Sequence, residues 1–270
     1  MSDTVAKLKD IYSRVRPKDL TAPRVLARRP RAKSEGHSAR RLNQLAAGMK
    51  SCDSYLEVGV AQGLTLEQVR VKTKIGVDPT PQFDLQKLPK GTVFYQMDSD
   101  SFFAQHAQDR DFDLIFLDGL HLWTNTYKDL LNSLSHGRSG SIILLDDVIP
   151  HNELSAFPDW DEALRLKSAA DHLDSHWQGD VYKVLIAVSL FHPELDYCVI
   201  GQRDGVDNPQ ALVWKRPGKQ VVGTVTASVA QLEAVSDTQY SEAFPNQEPT
   251  GVFAMTPEGD GIARALNAVQ

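Results

Sequence analysis

The sequence is poor in cysteine, in aromatic side chains and in long apolar runs, and each shortage narrows what the chain can be. Its two cysteines, Cys52 and Cys198, lie far apart. They match neither a metal-ligand spacing nor a disulfide framework, and read as buried thiols in a reducing cytoplasm. No stretch approaches the roughly 18 apolar residues that span a bilayer. The first ten residues, MSDTVAKLKD, lack the apolar run of a signal peptide. The expectation is therefore a soluble cytoplasmic protein with no membrane partner. Internal repeats and low-complexity tracts are missing too, which excludes solenoids and disordered linkers.

What is there is 270 residues, 41% hydrophobic, with a net charge of −6. That is enough for one enlarged domain, or one domain with extensions. The charge is uneven: residues 1–50 hold thirteen Lys or Arg against four Asp or Glu, so the remainder is strongly acidic. A basic arm can meet a nucleic acid or an anionic substrate, or dock on an acidic body, its own or a second subunit's. Tyr12 is its only aromatic, so bases have little to stack on. That argues against nucleic acid, and an extended arm suits a homodimer.

Along the chain, residues 1–20 read as a polar helix ending near Pro17, residues 21–36 as a loop, and residues 37–50 as a helix spaced by Leu42, Leu45 and Ala46. Short apolar runs bounded by turn signals then alternate with helical segments. Strands are expected at Tyr55–Val60, Lys74–Asp78, Val93–Met97, Phe112–Leu117 and Ser141–Leu145. Helices are expected at about Leu64–Val71, Ser101–Gln108, Thr124–Leu134 and Asp159–His176, with a further apolar stretch at Val181–Leu190. Such alternation implies an α/β, doubly wound, mostly parallel sheet covered on both faces. Two last strands, Tyr197–Gly201 and Ala211–Lys215, flank the turn-rich RDGVDNPQ and look antiparallel. The expected division is a basic helical extension or lid over 1–50, a cofactor-binding catalytic domain over 51–216 and a C-terminal extension over 217–270.

Ligands of such sheets bind beyond the carboxyl ends of the strands. The first strand runs into Glu57-Val58-Gly59-Val60-Ala61-Gln62-Gly63. Glycine at 59 lets the backbone approach a ligand, Gly63 permits a tight entry to the next helix, and helix amides can receive a carboxylate. Asp78 lies nineteen residues after Gly59, the usual place of a ribose-hydroxyl acceptor. The spacing E-x-G-x-x-x-G, with Ala at 61, departs from the pyrophosphate fingerprint and argues against NAD. Any α/β protein also has sharp strand-to-helix turns, so the glycines alone do not decide.

At the fourth strand end stands Asp118-Gly119-Leu120-His121, and at the fifth Asp146-Asp147. Parallel neighbours put these carboxylates at one sheet edge, where like charges repel. A bound cation removes that penalty, and oxygen ligands suit Mg²⁺, Ca²⁺ or Mn²⁺. Helix capping or plain solvation is the competing reading.

The glycine pattern resembles motif I of the class I S-adenosylmethionine methyltransferases, and the closing antiparallel pair resembles the end of their seven-stranded sheet. By that resemblance Glu57, Gly59 and Gly63 surround the methionine end of S-adenosylmethionine, Asp78 takes the ribose, and Asp98 and Ser99 lie near the adenine. FDLIFLDGLHLWTNTYKDL followed by GSIILLDDVIPHN resembles the metal-dependent small-molecule O-methyltransferases, nearest their macrolide- and sugar-modifying branch. The resemblance covers roughly residues 35–215. It implies Mg²⁺ held by Asp118, Asp146 and Asp147, with Asp118 bordering the cofactor as well. The sugar-modifying enzymes often carry a second acid two positions after the first ligand, where this chain has Leu120; the catechol enzymes carry a lysine three positions after, where it has His121. His121 is therefore the candidate base, since its reference pKa suits proton acceptance at neutral pH, and His151 is the rival.

The implied function is metal-dependent O-methylation of a small-molecule acceptor, a saccharide or glycosylated natural product. Aromatics at 8% favour a saccharide weakly over a flat phenolic. Ser34–His37, Asn152, Asp180 and Lys183 are candidate acceptor contacts and Trp177 or Trp123 candidate stacking surfaces, each with a plain structural role as its competitor. Two other functions stay open: metal-independent methylation of a nucleic acid through the basic arm, and an S-adenosylmethionine-binding module without catalysis.

Overall fold

The computed structural model describes residues 35–170, 176–201, 208–219 and 227–270. The helix expected over 1–20, most of the loop up to residue 36, the last turns expected before His176 and the start of RDGVDNPQ lie outside the described residues.

Eight strands form one sheet: β1 (Ser54–Val58), β2 (Thr73–Val77), β3 (Thr92–Tyr95), β4 (Phe112–Leu117), β5 (Gly137–Leu145), β6 (Leu195–Ile200), β7 (Gln210–Lys215) and β8 (Met255–Thr256). Their order is β3-β2-β1-β4-β5-β7-β6-β8. β4, with the run FDLIFL, is buried along its whole length between β1 and β5, as a continuous apolar strand should be when both faces are covered. The helices are α1 (His37–Gly48), α2 (Leu64–Gln68), α3 (Ser99–Gln105), α4 (Trp123–His136), α5 (Trp160–Ala169), α6 (Lys183–Phe191), α7 (Val229–Asp237), α8 (Tyr240–Ala243) and α9 (Glu258–Val269). Phe102, Tyr127, Leu130 and Leu185, from α3, α4 and α6, pack on one face of the sheet. Leu42, Leu45, Leu66, Ile262 and Ala265, from α1, α2 and α9, pack on the other.

The sheet is mostly parallel, with two differences from expectation. It has eight strands rather than seven, because Met255–Thr256 joins it beside β6; two residues carry no alternation from which a strand can be read. The antiparallel pair does not close the sheet. β7 lies between β5 and β6 and runs against both, so the residues just before β7 stand beside the carboxyl end of β5. α2 is shorter than expected, ending at Gln68, while β5 begins earlier, at Gly137. Among the described residues no helix is long and apolar enough to cross a membrane.

Candidate active site

Strand β1 leaves the sheet at a turn that only glycine permits. Gly59 has φ +84°, and a Cβ built on it would stand 1.9 Å from the backbone oxygen of Asp118. The missing side chain therefore lets the end of β4 pack directly against the first turn, a reason different from ligand approach. Gly63, φ +75°, caps α2 in the left-handed region. Asp78 ties the turn together: Oδ2 accepts from the amides of Val60 (2.9 Å) and Ala61 (2.8 Å), and Oδ1 from that of Thr80 (2.7 Å). A cleft of about 460 Å³ opens beside the same turn, lined among others by Gln62, Gly63 and Phe83. It lies away from the strand-end carboxylates, which form none of its wall.

Glu57 is buried beneath that turn, 1% exposed. Burial pushes its pKa up to about 8, against the opposing pull of the Tyr55 hydroxyl, which donates at 2.7 Å, and of Lys74. Asp98 caps α3, accepting from the Ser101 amide at 2.8 Å. Ser99 opens that helix, and its hydroxyl bonds Asp129, a residue that sequence reasoning passed over. Asp129 is 4% exposed, with Oδ1 buried and without a hydrogen-bond partner. Burial pushes its pKa up to about 7. A carboxyl raised in the folded state stabilises fully below its unfolded value, near 4, and loses that contribution as pH climbs through about 7. Asp129→Asn is accordingly expected to raise Tm at pH 8 by roughly 5 °C and to leave it unchanged at pH 4. Thermal melts at the two pH values check this; an equal change at both rules out the buried charge as its cause.

The carboxylates at the ends of β4 and β5 converge. Donor atoms of Asp118, His121 and Asp147 all lie within 4.8 Å of one another, an arrangement able to hold a cation. Burial, then the charges of Asp146 and Asp147, hold the Asp118 carboxyl well above its ordinary value. Its side chain is 35% exposed, so water moderates that effect. Asp147, 10% exposed, is pushed up to about 7 by burial, opposed by His121 and reinforced by Asp146. It sits at φ +59°, unusual for a residue with a side chain. Asp146 is beside the group but outside it: its Oδ1 accepts from the Asp147 amide (2.8 Å) and from Asn208 Nδ2 (2.7 Å).

His121 is held from behind. Its Nδ1 lies 2.9 Å from the Trp177 carbonyl, and its ring stacks on the Trp177 indole at 4.6 Å with a 14° interplanar angle. A carbonyl only accepts, so Nδ1 carries the hydrogen. Nε2 then faces Asp147 Oδ2 at 3.1 Å and Asp118 Oδ1 at 3.8 Å. A bare imidazole nitrogen and a carboxylate oxygen at 3.1 Å repel unless a proton or a cation stands between them. The oxygens of the two carboxylates suit a hard divalent cation, which leaves this nitrogen open to accept a proton. Among the described residues His151 is not one of that group: its ring stands 4.2 Å from that of His176, and its amide donates to Gln178.

The candidate acceptor contacts are mostly spent on structure. Asp180 is buried, accepts from the Trp123 amide (2.8 Å) at the uncapped start of α4 and pairs with Lys183. Lys183 also donates to the Ser236 carbonyl. Trp123 is 2% exposed, inside the core, and Trp177 donates to the Phe157 carbonyl while backing His121. Asn152 folds onto Ser155. Ser34 lies outside the described residues. Burial of the 177–183 segment explains this: its backbone abuts the 118–123 loop, with Gly179 at φ +60° and room for no Cβ beside the His121 carbonyl.

Residues 34–148 match the family model described as a methyltransferase domain. The matched stretch is less than half of the chain. It spans the glycine turn, Asp78, Asp118, His121 and both aspartates after β5. No curated protein sequence matches the chain significantly. Solved structures that it resembles include the plantazolicin methyltransferase BpumL with a monoazolic desmethylPZN analogue and SAH, at 16% identity over 66% of this chain and 82% of that one, TM-score 0.48. Cofactor-bound Rv0187 from MTB follows at 16% identity, over 78% of this chain and 88% of that one, TM-score 0.49. An O-methyltransferase from Bacillus cereus in complex with SAH stands at 12% identity, 80% and 92%, TM-score 0.43.

Proposed function

We propose that the chain transfers a methyl group from S-adenosylmethionine to a hydroxyl of a small-molecule acceptor, a saccharide or glycosylated natural product, with a divalent cation at the β4 and β5 strand ends. The observation that carries this reading is the contact between Gly59 and the Asp118 backbone, which sets the cofactor turn against the carboxylate cluster. Bound S-adenosylmethionine supplies an electrophilic methyl group, and a bound dication acidifies and orients the hydroxyl. The chain's own residues do the rest. The turn from Gly59 to Gly63, braced by Asp78, receives the methionine end, and Asp98 and Ser99 border the adenine. Asp118 and Asp147, with Asp146 beside them, hold the cation. His121, its Nδ1–H fixed by the Trp177 carbonyl, takes the acceptor's proton at Nε2. With the methyl group supplied by bound S-adenosylmethionine and the acceptor proton held on His121 Nε2, alignment of the reactants by these residues would contribute roughly 7–11 kcal/mol.

Incubating the chain with labelled S-adenosylmethionine and a panel of sugars, glycosides and catechols, with Mg²⁺ and with excess EDTA, tests this. Label is expected in a saccharide hydroxyl, with turnover lost in EDTA. Turnover that survives exhaustive chelation excludes the cation, and label confined to RNA excludes the acceptor class. His121→Gln is expected to lower kcat about 100-fold with cofactor and Mn²⁺ affinities unchanged. Lost Mn²⁺ affinity would instead make the imidazole a ligand.

A further inference from the structure

Asn208 stands just before β7, in a segment that no motif marks. Its Nδ2 donates to Asp146 Oδ1 at 2.7 Å and to Asp147 Oδ1 at 3.0 Å, bridging the two carboxylates. Its backbone carbonyl accepts from Arg41 Nη1 at 2.7 Å, and the same nitrogen donates to Gln210 Oε1 at 2.8 Å. Arg41 belongs to α1 and is fully buried; its Nε donates to Glu258 Oε2 at 2.8 Å, on the first turn of α9. Glu258 also holds Arg40, and Gln210 holds Ser38 at 2.8 Å. One unbroken line of charged or polar contacts thus runs from the C-terminal helix, through the N-terminal helix, to the aspartates after β5.

We infer that Asn208 is a positioning residue for the cation site, and that Arg41, clamped by Glu258, fixes where Asn208 stands. The inference rests on the cation reading given above. Two adjacent carboxylates repel, and the backbone offsets this at one of them, through the Asp147 amide on Asp146 Oδ1. A bridging amide neutralises part of that repulsion and takes up the Oδ1 atoms, so Asp147 Oδ2 is the oxygen turned toward His121. Arg41 makes the amide's position rigid: it grips both the Asn208 carbonyl and the Gln210 side chain, the two sides of the turn into β7. Outer contacts of this kind typically change metal affinity 10- to 100-fold when removed.

The test is a Mn²⁺ titration of the whole chain by electron paramagnetic resonance, with S-adenosylmethionine affinity measured by calorimetry on the same samples. Asn208→Ala is expected to weaken Mn²⁺ binding about 10- to 100-fold while cofactor affinity and far-UV circular dichroism stay as in the wild type. Glu258→Gln, which acts only through the arginines, is expected to produce a smaller loss of the same kind. Wild-type Mn²⁺ affinity in Asn208→Ala overturns the inference and leaves the cation reading standing. Equal losses of Mn²⁺ and cofactor affinity overturn it as well, since they indicate general unfolding of the site. A wild-type chain that takes up no Mn²⁺ removes both the inference and the reading beneath it.

Discussion

Asp147→Ala is expected to lower kcat for methyl transfer by about 1,000-fold, because several kcal/mol of charge stabilisation and alignment at the acceptor hydroxyl disappear together. Asp147 is the member of the cluster with most at stake. It is nearly buried, faces His121 through one oxygen and Asn208 through the other, and has no spare surface from which water could replace it. Removing its carboxylate also removes the group that faces His121 Nε2 at 3.1 Å, so the imidazole loses its direction along with the cation. Cofactor affinity is expected to stay within about threefold, since the glycine turn and Asp78 bracing are untouched. Single-turnover kinetics with saturating Mg²⁺ separate the two effects. A variant that retains a tenth of wild-type kcat would mean that the strand-end carboxylates are structural.

Gly59→Ala is expected to destabilise the fold by about 4 kcal/mol and to abolish measurable S-adenosylmethionine binding. The new methyl group would meet the Asp118 carbonyl at 1.9 Å and the Gly119 Cα at 2.5 Å, both backbone atoms that cannot turn aside. The positive φ adds a further 1–2 kcal/mol of strain for any L side chain. Either β1 or β4 must shift, and a shift at that point separates the cofactor turn from the cation cluster. Gly218→Ala is the control: it too has positive φ, but open space surrounds it, so only the backbone strain remains. Denaturant melts of both variants measure the difference. If the two lose stability equally, the contact between the strand ends has no special weight.

Much of this architecture was legible along the chain, for identifiable reasons. The buried run FDLIFL needed both faces covered, and the switch from apolar runs to helical spacing announced a parallel sheet. That Asp118 and the Asp146-Asp147 pair stand at one sheet edge was readable because they follow apolar strands, and parallel strand ends gather there. His121 drew attention through the resemblance, which puts a lysine three positions after the first ligand. What stayed hidden depends on pairing across the chain. Asn208 lies in a turn-rich segment with nothing to single it out, and only the insertion of β7 between β5 and β6 carries it to the aspartates. Asp129 was passed over, since its burial against Ser99 and below Gly119 follows from packing. Trp177 read as a surface for an acceptor ring, yet its carbonyl and indole are both committed to His121.

The short strand β8 has a consequence for how copies of the molecule meet. Lying along Val199 and Ile200, it occupies the ladder groups at that end of β6, and at two residues it is too brief to template a newcomer's backbone. The opposite flank, β3, offers four residues and an exposed Val93. That flank lies two strands away from β1 and its glycine turn, so a strand added there would leave the turn untouched.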